Sequence, residues 1–223
     1  MAERYGLMVP GAKSSSPAID VLSPYNNRKI GSVATADAAV AEQALKTAYA
    51  LYRNRDAWLP AWQRVDILER TVEIMTKRAD YLALESAREG GKPLTDSKHE
   101  VARAIDGVKL CIEALRTQAG EEIPMGISRS SVHRLAFNSL EPIGVVTAVS
   151  AFNHPLNLIV HQVCPAVAVG CPVIVKPSED TPLSCMRFVK ILREAGLPDE
   201  WCQPMVTAGR AVSEKIVTDS RVG

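Results

Sequence analysis

Along residues 37 to 120, apolar side chains return every three or four positions, the spacing of one helix face. Val65, Leu68, Val72 and Met75 make one stripe, and Val101, Ile105, Val108, Ile112 and Leu115 make another. Alanine and long straight side chains fill the gaps, and both favour helix. The pattern predicts three helices. The first runs from Asp37 to about Tyr52, with Thr35 as its cap. The second opens near Pro60, a residue suited to a first helical turn, and continues to about Arg88, where Gly90-Gly91-Lys92-Pro93 stops it. The third runs from Thr95 to about Ala119. Such stripes are core faces.

The period differs on either side of this stretch. Residues 17 to 35 predict a small hairpin, Ile19-Asp20-Val21 returning through Ile30-Gly31-Ser32-Val33 after the turn formers Pro24-Tyr25-Asn26-Asn27. Residues 127 to 141, ISRSSVHRLAFNSLE, alternate like a strand pair, with Ser130, Val132, Arg134 and Ala136 on one face. A half-exposed pair of this kind would cover another domain or subunit. From 142 to 223 strands and helices take turns. The expected strands are Ile143 to Val149, Val173 to Val175 and Pro204 to Val206. Between and after them come helices from Pro155 to about Val169, from Thr181-Pro182 to Ala195 with Thr181 as cap, and from about Ala211 to Thr218. That alternation implies an α/β fold with a parallel sheet and right-handed crossovers.

Composition narrows the classes. The 223 residues allow one large domain or two small ones. A net charge of +1 offers no basic field for nucleic acid or anionic lipid. No apolar run approaches the roughly 20 residues of a membrane span. The amino-terminal MAERYGLMVPGAKSSSPA lacks a basic start followed by an apolar run, so it does not read as a secretory signal, and the expected location is cytoplasmic. The cysteines, Cys111, Cys164, Cys171, Cys185 and Cys202, are odd in number, scattered and free of C-x-x-C pairs. They predict buried apolar side chains rather than disulfides or a zinc site.

In open parallel sheets, ligands bind beyond the carboxyl ends of the strands. Three strand tips meet that condition: Ser150-Ala151-Phe152-Asn153, Lys176-Pro177-Ser178-Glu179 and Thr207-Ala208-Gly209, all on one edge. At the second tip, an ammonium and a carboxylate could hydrogen-bond the hydroxyls of a ribose, or they could be an ordinary surface ion pair. At the first, Asn153 could cap the helix that follows, or its amide could donate to a developing oxyanion. His154 and His161 would share a helix face, with no third ligand nearby for a metal. No G-x-G-x-x-G occurs, so a dinucleotide would be held by an arrangement other than the usual Rossmann turn.

Three segments, EPIGVVTAVSAFNHPLN, AVAVGCPVIVKPSEDTPLS and LREAGLPDEWCQPMVTAG, resemble the aldehyde dehydrogenase superfamily. The hairpin, the helices and GGKPLTDSKHEV also fit the order of that family. The resemblance implies a Rossmann-type parallel sheet with an amino-terminal helical stretch and a protruding strand pair for oligomerisation. It divides the chain into residues 1–126 (hairpin and helices of the cofactor-binding domain), 127–141 (oligomerisation strands) and 142–223 (the parallel NAD-binding core).

It also implies roles for particular residues. Asn153 becomes the oxyanion-hole amide. Lys176 and Glu179 hold the adenosine ribose, with Ser178 in the same cofactor-binding turn. Val149, Ser150, Ala151 and Phe152 line the cofactor cleft, and Gly209 admits the adenine. A carboxylate beside the ribose favours NAD over NADP. The implied reaction is aldehyde oxidation through a cysteine thioester in the complete protein, with water or coenzyme A as acyl acceptor. Phe152 bears on that choice, because hydrolytic members often carry Trp there. The family's next strand, its glutamate base and its nucleophilic cysteine would follow Gly223, so residues 1–223 are expected to be inactive alone. The expected partners are a small aldehyde and further copies of the chain, as a homodimer or homotetramer. A non-catalytic nucleotide-binding module or a structural partner with the same fold are the alternatives.

Overall fold

Short strands and turn residues build the first elements. The computed structural model describes residues 2–13 and 16–223; Met1, Ser14 and Ser15, part of the stretch read above for a secretory signal, lie outside the described residues. β1 (Glu3–Tyr5), β2 (Ile19–Leu22) and β3 (Lys29–Val33) form a sheet ordered β1-β3-β2, in which β2 and β3 are the expected hairpin. β4 (Thr35–Ala36) follows at once, and then α1 (Ala38–Arg53). Asp37 caps α1, its carboxylate accepting from the backbone N–H of Ala39 at 3.1 Å and Val40 at 3.0 Å. Thr35, the expected cap, is committed to β4, and its hydroxyl donates to the Pro17 carbonyl at 2.7 Å.

The single helix expected from Pro60 to Arg88 is two, α2 (Ala61–Lys77) and α3 (Ala79–Gly90). They meet at Arg78 (φ −107°, ψ 13°), whose N–H reaches back to the carbonyls of Ile74 and Met75. Neither Gly nor Pro marks the break, and the stripe of apolar positions runs on across it. What fixes it is tertiary: the Arg78 guanidinium grips Glu194 with two hydrogen bonds of 2.8 and 2.7 Å. α4 (Leu94–Thr117) is the long third helix.

The strand pair expected over 127–141 shrinks to a two-residue ladder. β5 (Glu122–Ile123) pairs antiparallel with β6 (Ala136–Phe137), and most of what lies between is turn. Serine hydroxyls compete with the ladder there. The Ser131 hydroxyl accepts from the N–H of Gly126 (3.1 Å) and Ser128 (3.2 Å), and His133 adopts a left-handed φ of 66°. Ile127, Leu135, Phe137, Leu140 and Ile143 are left exposed.

The remaining elements are β7 (Val146–Val149), α5 (Asn157–Val169), β8 (Val173–Lys176), α6 (Pro182–Glu194), β9 (Cys202–Pro204), β10 (Val206–Thr207) and α7 (Arg210–Thr218). β7, β8 and β9 form the parallel sheet, with Val146 opposite Val173 and Val173 opposite Cys202. The strand expected at 204–206 divides at Met205, because the chain changes neighbours: β9 pairs with β8, whereas β10 pairs parallel with β4. After α7, Val222 bridges Val145 in parallel on the other edge of β7. The chain thus steps from β7 outward to β9 and then returns past its starting strand.

Helices cover both faces. Ala148, Val173, Val175 and Cys202 point into a core with residues of α2, α4, α5 and α6, including Leu68, Val108, Val163 and Phe188. Val145, Ile174 and Met205 point the other way, onto Val40 and Leu45 of α1 and Ile216 of α7. The alternation of Val173, Ile174 and Val175 between the two cores is the strand period expressed in packing. The architecture is the expected α/β fold, and residues of 1–126 and of 142–223 share both larger cores. Among the described residues, no helix is long and apolar enough to cross a membrane.

Arg221 fastens the end of the chain to α1. Its guanidinium bonds Glu42 at 2.8 and 2.9 Å and Asp219 at 2.7 Å, and Lys215 adds a 2.7 Å pair to Glu42. Arg221 holds both carboxyls down to about 2. A lowered folded-state pKa gives stability that is present at neutral pH and is lost as the carboxyls protonate. Acidification from about 4.5 toward about 2 should therefore loosen the Val222 bridge, read as a lower protection factor at the Gly223 amide, its exchange taken relative to the intrinsic rate at each pH. Arg221→Ala should show fast exchange already at neutral pH; slow exchange in that variant would refute the anchor.

Candidate functional site

The first two tips follow β7 and β8 on the carboxyl edge of one sheet, whereas the third follows β10, which pairs with β4 in a separate two-stranded sheet; β7 is where the chain reverses its direction across the parallel sheet. In doubly wound folds this reversal opens a crevice that takes ligands. Val149 ends β7, and the Ser150 N–H continues the ladder by donating to the Lys176 carbonyl at 2.9 Å. Ala151, Phe152 and Asn153 then stand exposed, Phe152 at 60%. His154 lies in the same turn ahead of α5, so it does not share a helix face with His161 as expected.

Asn153 does not cap α5. The helix begins four residues later, at Asn157, without a local side-chain cap. Its first N–H groups are taken instead by Glu100 of α4: one carboxylate oxygen accepts from Leu156 at 2.8 Å and Asn157 at 2.9 Å. Glu100 is 2% exposed, and its other oxygen accepts from the Ser86 hydroxyl at 2.9 Å and from the Lys92 ammonium. The side-chain amide of Asn153 is consequently left with no hydrogen-bond partner among the described residues, and the capping alternative is overturned.

The second tip repeats the device. Thr181, the expected cap of α6, makes no capping bond, and its hydroxyl is buried without a partner. Glu89 of α3, 1% exposed, caps α6 instead, accepting from the N–H of Leu183 and from the N–H (2.9 Å) and hydroxyl (2.6 Å) of Ser184. Burial pushes the Glu89 carboxyl up from its ordinary range, against the pull of Arg187 and of these donors. Arg187 is itself ringed by Glu3 (3.1 Å), Glu85 (3.2 Å) and Glu89 (3.5 Å).

With the helix closed from below, the KPSE turn is free at its surface. Lys176 is half-buried, with its ammonium 3.4 Å from the Pro177 carbonyl, and Glu179 is exposed. The two form no ion pair among the described residues. Ser178 holds the turn, its hydroxyl accepting from the Asp180 N–H at 3.3 Å. A cavity of about 480 Å³ brings Phe152 of the first tip together with Glu179 of the second. At the third tip Gly209 has a φ of +139°, which other L residues rarely adopt, and a Cβ there would meet no heavy atom within 4 Å.

These contacts also bear on the missing glycine-rich turn. A Rossmann turn leaves helix N–H groups free to cradle a pyrophosphate. Here the amino termini of both α5 and α6 are already occupied by buried carboxylates. Glu89 and Glu100 escape the motif reading because their partners lie 94 and 56 residues along the chain. One signal was visible: Glu100 falls on the core face of its helix, in phase with Ala104 and Val108.

None of the cysteines is exposed. Burial pushes the thiols of Cys164 and Cys185 far up, Cys202 to about 12 and Cys111 to about 11. None of these four is a poised thiolate, and Cys171 is buried. At about pH 8, where an ordinary exposed thiol is partly ionised, a disulfide reagent should leave Cys164, Cys185 and Cys202 unmodified in the folded protein. Denaturant should then release all five thiols. Rapid native-state labelling of any of the three would contradict this assignment.

Residues 12–223 match the model of the aldehyde dehydrogenase family. The 3-sulfolactaldehyde dehydrogenase of Priestia aryabhattai is 31% identical over 228 residues, 99% of this chain and 46% of that protein. Among solved structures, aldehyde dehydrogenase 21 from Physcomitrella patens, in complex with its reaction product succinate, aligns with a TM-score of 0.91 at 31% identity, over 100% of this chain and 46% of that one. The glyceraldehyde-3-phosphate dehydrogenase of Methanocaldococcus jannaschii, complexed with NADP, aligns at 0.84 and 30%, over 94% and 45%. Both NAD- and NADP-dependent enzymes occur among such neighbours. The chain spans about half the length of the curated relatives it matches.

Proposed function

The chain belongs to the aldehyde dehydrogenase family, and from that premise we propose that it is the dinucleotide-binding part of an NAD-dependent aldehyde dehydrogenase and supplies the amide of its oxyanion hole. The observation that carries this reading is the unpartnered amide of Asn153, exposed at the tip of β7 because Glu100 has taken over the capping of α5. An amide held there donates to the oxygen of a carbonyl as charge builds on it under nucleophilic attack. No cysteine of this chain suits as nucleophile, so the attacking thiolate and the base belong to a part of the protein other than residues 1–223. On this reading these residues alone turn over no aldehyde. Water or coenzyme A would take the acyl group.

Lys176, Ser178 and Glu179 suit a ribose. The ammonium and the carboxylate are not spent on each other, and Glu179 lies in the cleft that Phe152 also lines. A carboxylate there accepts from a 2′-hydroxyl and repels a 2′-phosphate, which favours NAD over NADP. The bound nicotinamide would receive the hydride of the aldehyde. Val149, Ser150, Ala151 and Phe152 would form the wall of the cleft, and Gly209 would leave room for the adenine. The exposed Ile127, Leu135 and Phe137 around β6 suit burial against another subunit, in keeping with a homodimer or homotetramer.

In the full-length protein, Asn153→Ala should lower kcat by about 10²–10³-fold while leaving NAD binding unchanged; an unaltered kcat would remove Asn153 from the oxyanion hole. Glu179→Gln should bring kcat/KM with NADP closer to that with NAD. If the ratio of the two stays where it was, the carboxylate does not face the ribose.

A further inference from the structure

We propose that Lys92 and Glu100 act together as positioning residues that set the direction of the Asn153 amide. The proposal rests on the reading of Asn153 as oxyanion donor. Neither side chain stands free at the edge where substrate would sit. Glu100 is buried on the core face of α4, and the Lys92 side chain is only 14% exposed. Both nonetheless act on the turn that carries Asn153, from opposite ends. Glu100 fixes its far end, where the N–H groups of Leu156 and Asn157 converge on one carboxylate oxygen. Lys92 reaches its near end, with the ammonium 3.4 Å from the Asn153 carbonyl oxygen. The two grips are one unit, because the other oxygen of Glu100 accepts from the same ammonium and from the Ser86 hydroxyl.

The clamp explains how an exposed amide keeps a direction without bonds of its own. A free side chain on a loose turn would lose the alignment that oxyanion stabilisation requires. Here the backbone from the Asn153 carbonyl to the first turn of α5 is tied to a buried carboxylate–ammonium pair. The pair draws on three elements, since Ser86 belongs to α3, Glu100 to α4, and Lys92 lies in the connection between them. The Gly91 turn just ahead of Lys92, with φ +65°, brings the chain around so that the ammonium returns toward the sheet edge.

The two grips can be separated by substitution. Lys92→Met removes the tether to the Asn153 carbonyl and leaves the capping oxygen of Glu100 in place. Glu100→Gln keeps a carbonyl oxygen for the helix N–H groups and loses the charge that holds Lys92. Both variants should stay folded with NAD affinity unchanged. Each should lower kcat in the full-length protein by about tenfold, less than loss of the amide itself. The deciding measurement is a double-mutant cycle. In an Asn153→Ala background, Lys92→Met should cost nothing further in kcat, because the group it positions is gone. Lys92→Arg should recover part of the rate.

If Lys92→Met lowers kcat by the same factor with and without Asn153, its effect does not pass through the amide and the clamp is refuted. A Lys92→Met enzyme with full kcat, alongside an impaired Asn153→Ala, also refutes it while leaving Asn153 in its role. A silent Asn153→Ala overturns both readings at once.

Discussion

Two buried carboxylates hold this structure together where it matters. The opening N–H groups of any α-helix lack intrahelical partners and carry partial positive charge. In α5 and α6 these groups are satisfied from outside, by Glu100 and Glu89. A local cap is worth about 0.5–2 kcal/mol, and hydrogen bonds to a charged partner about 1.5–3 kcal/mol each. Those gains offset the cost of taking a carboxylate out of water, which an unpaired charge could not meet. Each carboxylate also has a cation beside it, Lys92 for Glu100 and Arg187 for Glu89. Removing either glutamate would strip one helix end; loss of Glu100 would also leave the Lys92 ammonium without its carboxylate, whereas Arg187 would keep Glu3 and Glu85.

This arrangement ties architecture to chemistry. α3 and α4 lie against the crossover helices, and their glutamates reach past the core to the sheet edge. The helical layer thereby fixes where the turns after β7 and β8 run. Because the capping is imported, the polar residues in those turns are released from the work that such residues usually do. Asn153 keeps its amide, and Lys176 and Glu179 keep their charges unpaired. The same carboxylates close the two helix ends to phosphate, which agrees with the absence of a glycine-rich turn from the sequence.

Topology supplies the position. Strand order runs outward from β7 to β9 and then back to Val222 beyond β7. In folds of this kind the crevice created by such a reversal lies at the carboxyl end of the strand where it occurs, here β7, which ends four residues before Asn153. The exposed cleft that follows joins Phe152 to Glu179. None of the cysteines is exposed, and the chain spans about half the length of the curated relatives it matches.

The sequence by itself determined the periods. Helical stripes, alternating strands and the βαβα order are written in neighbouring residues, and they placed α4, α5, α6 and the parallel sheet close to where they lie. It also placed the tips after β7 and β8 on one edge, because neighbouring parallel strands end on the same side; the third tip follows β10, which leaves that sheet for β4. Tertiary structure decided what no neighbouring residue records. Arg78 breaks a helix because Glu194 waits on another one. The strand after residue 202 divides because it must exchange β8 for β4. Serine hydroxyls dissolve an alternating stretch that had no partner strand long enough to compete. Above all, the choice between Asn153 as cap and Asn153 as donor was open in the sequence, since an amide before a helix suits both. The cap was decided by a carboxylate more than fifty residues away: Glu100 takes the Leu156 and Asn157 N–H groups, and Asn153 lies outside the helix end it would have capped.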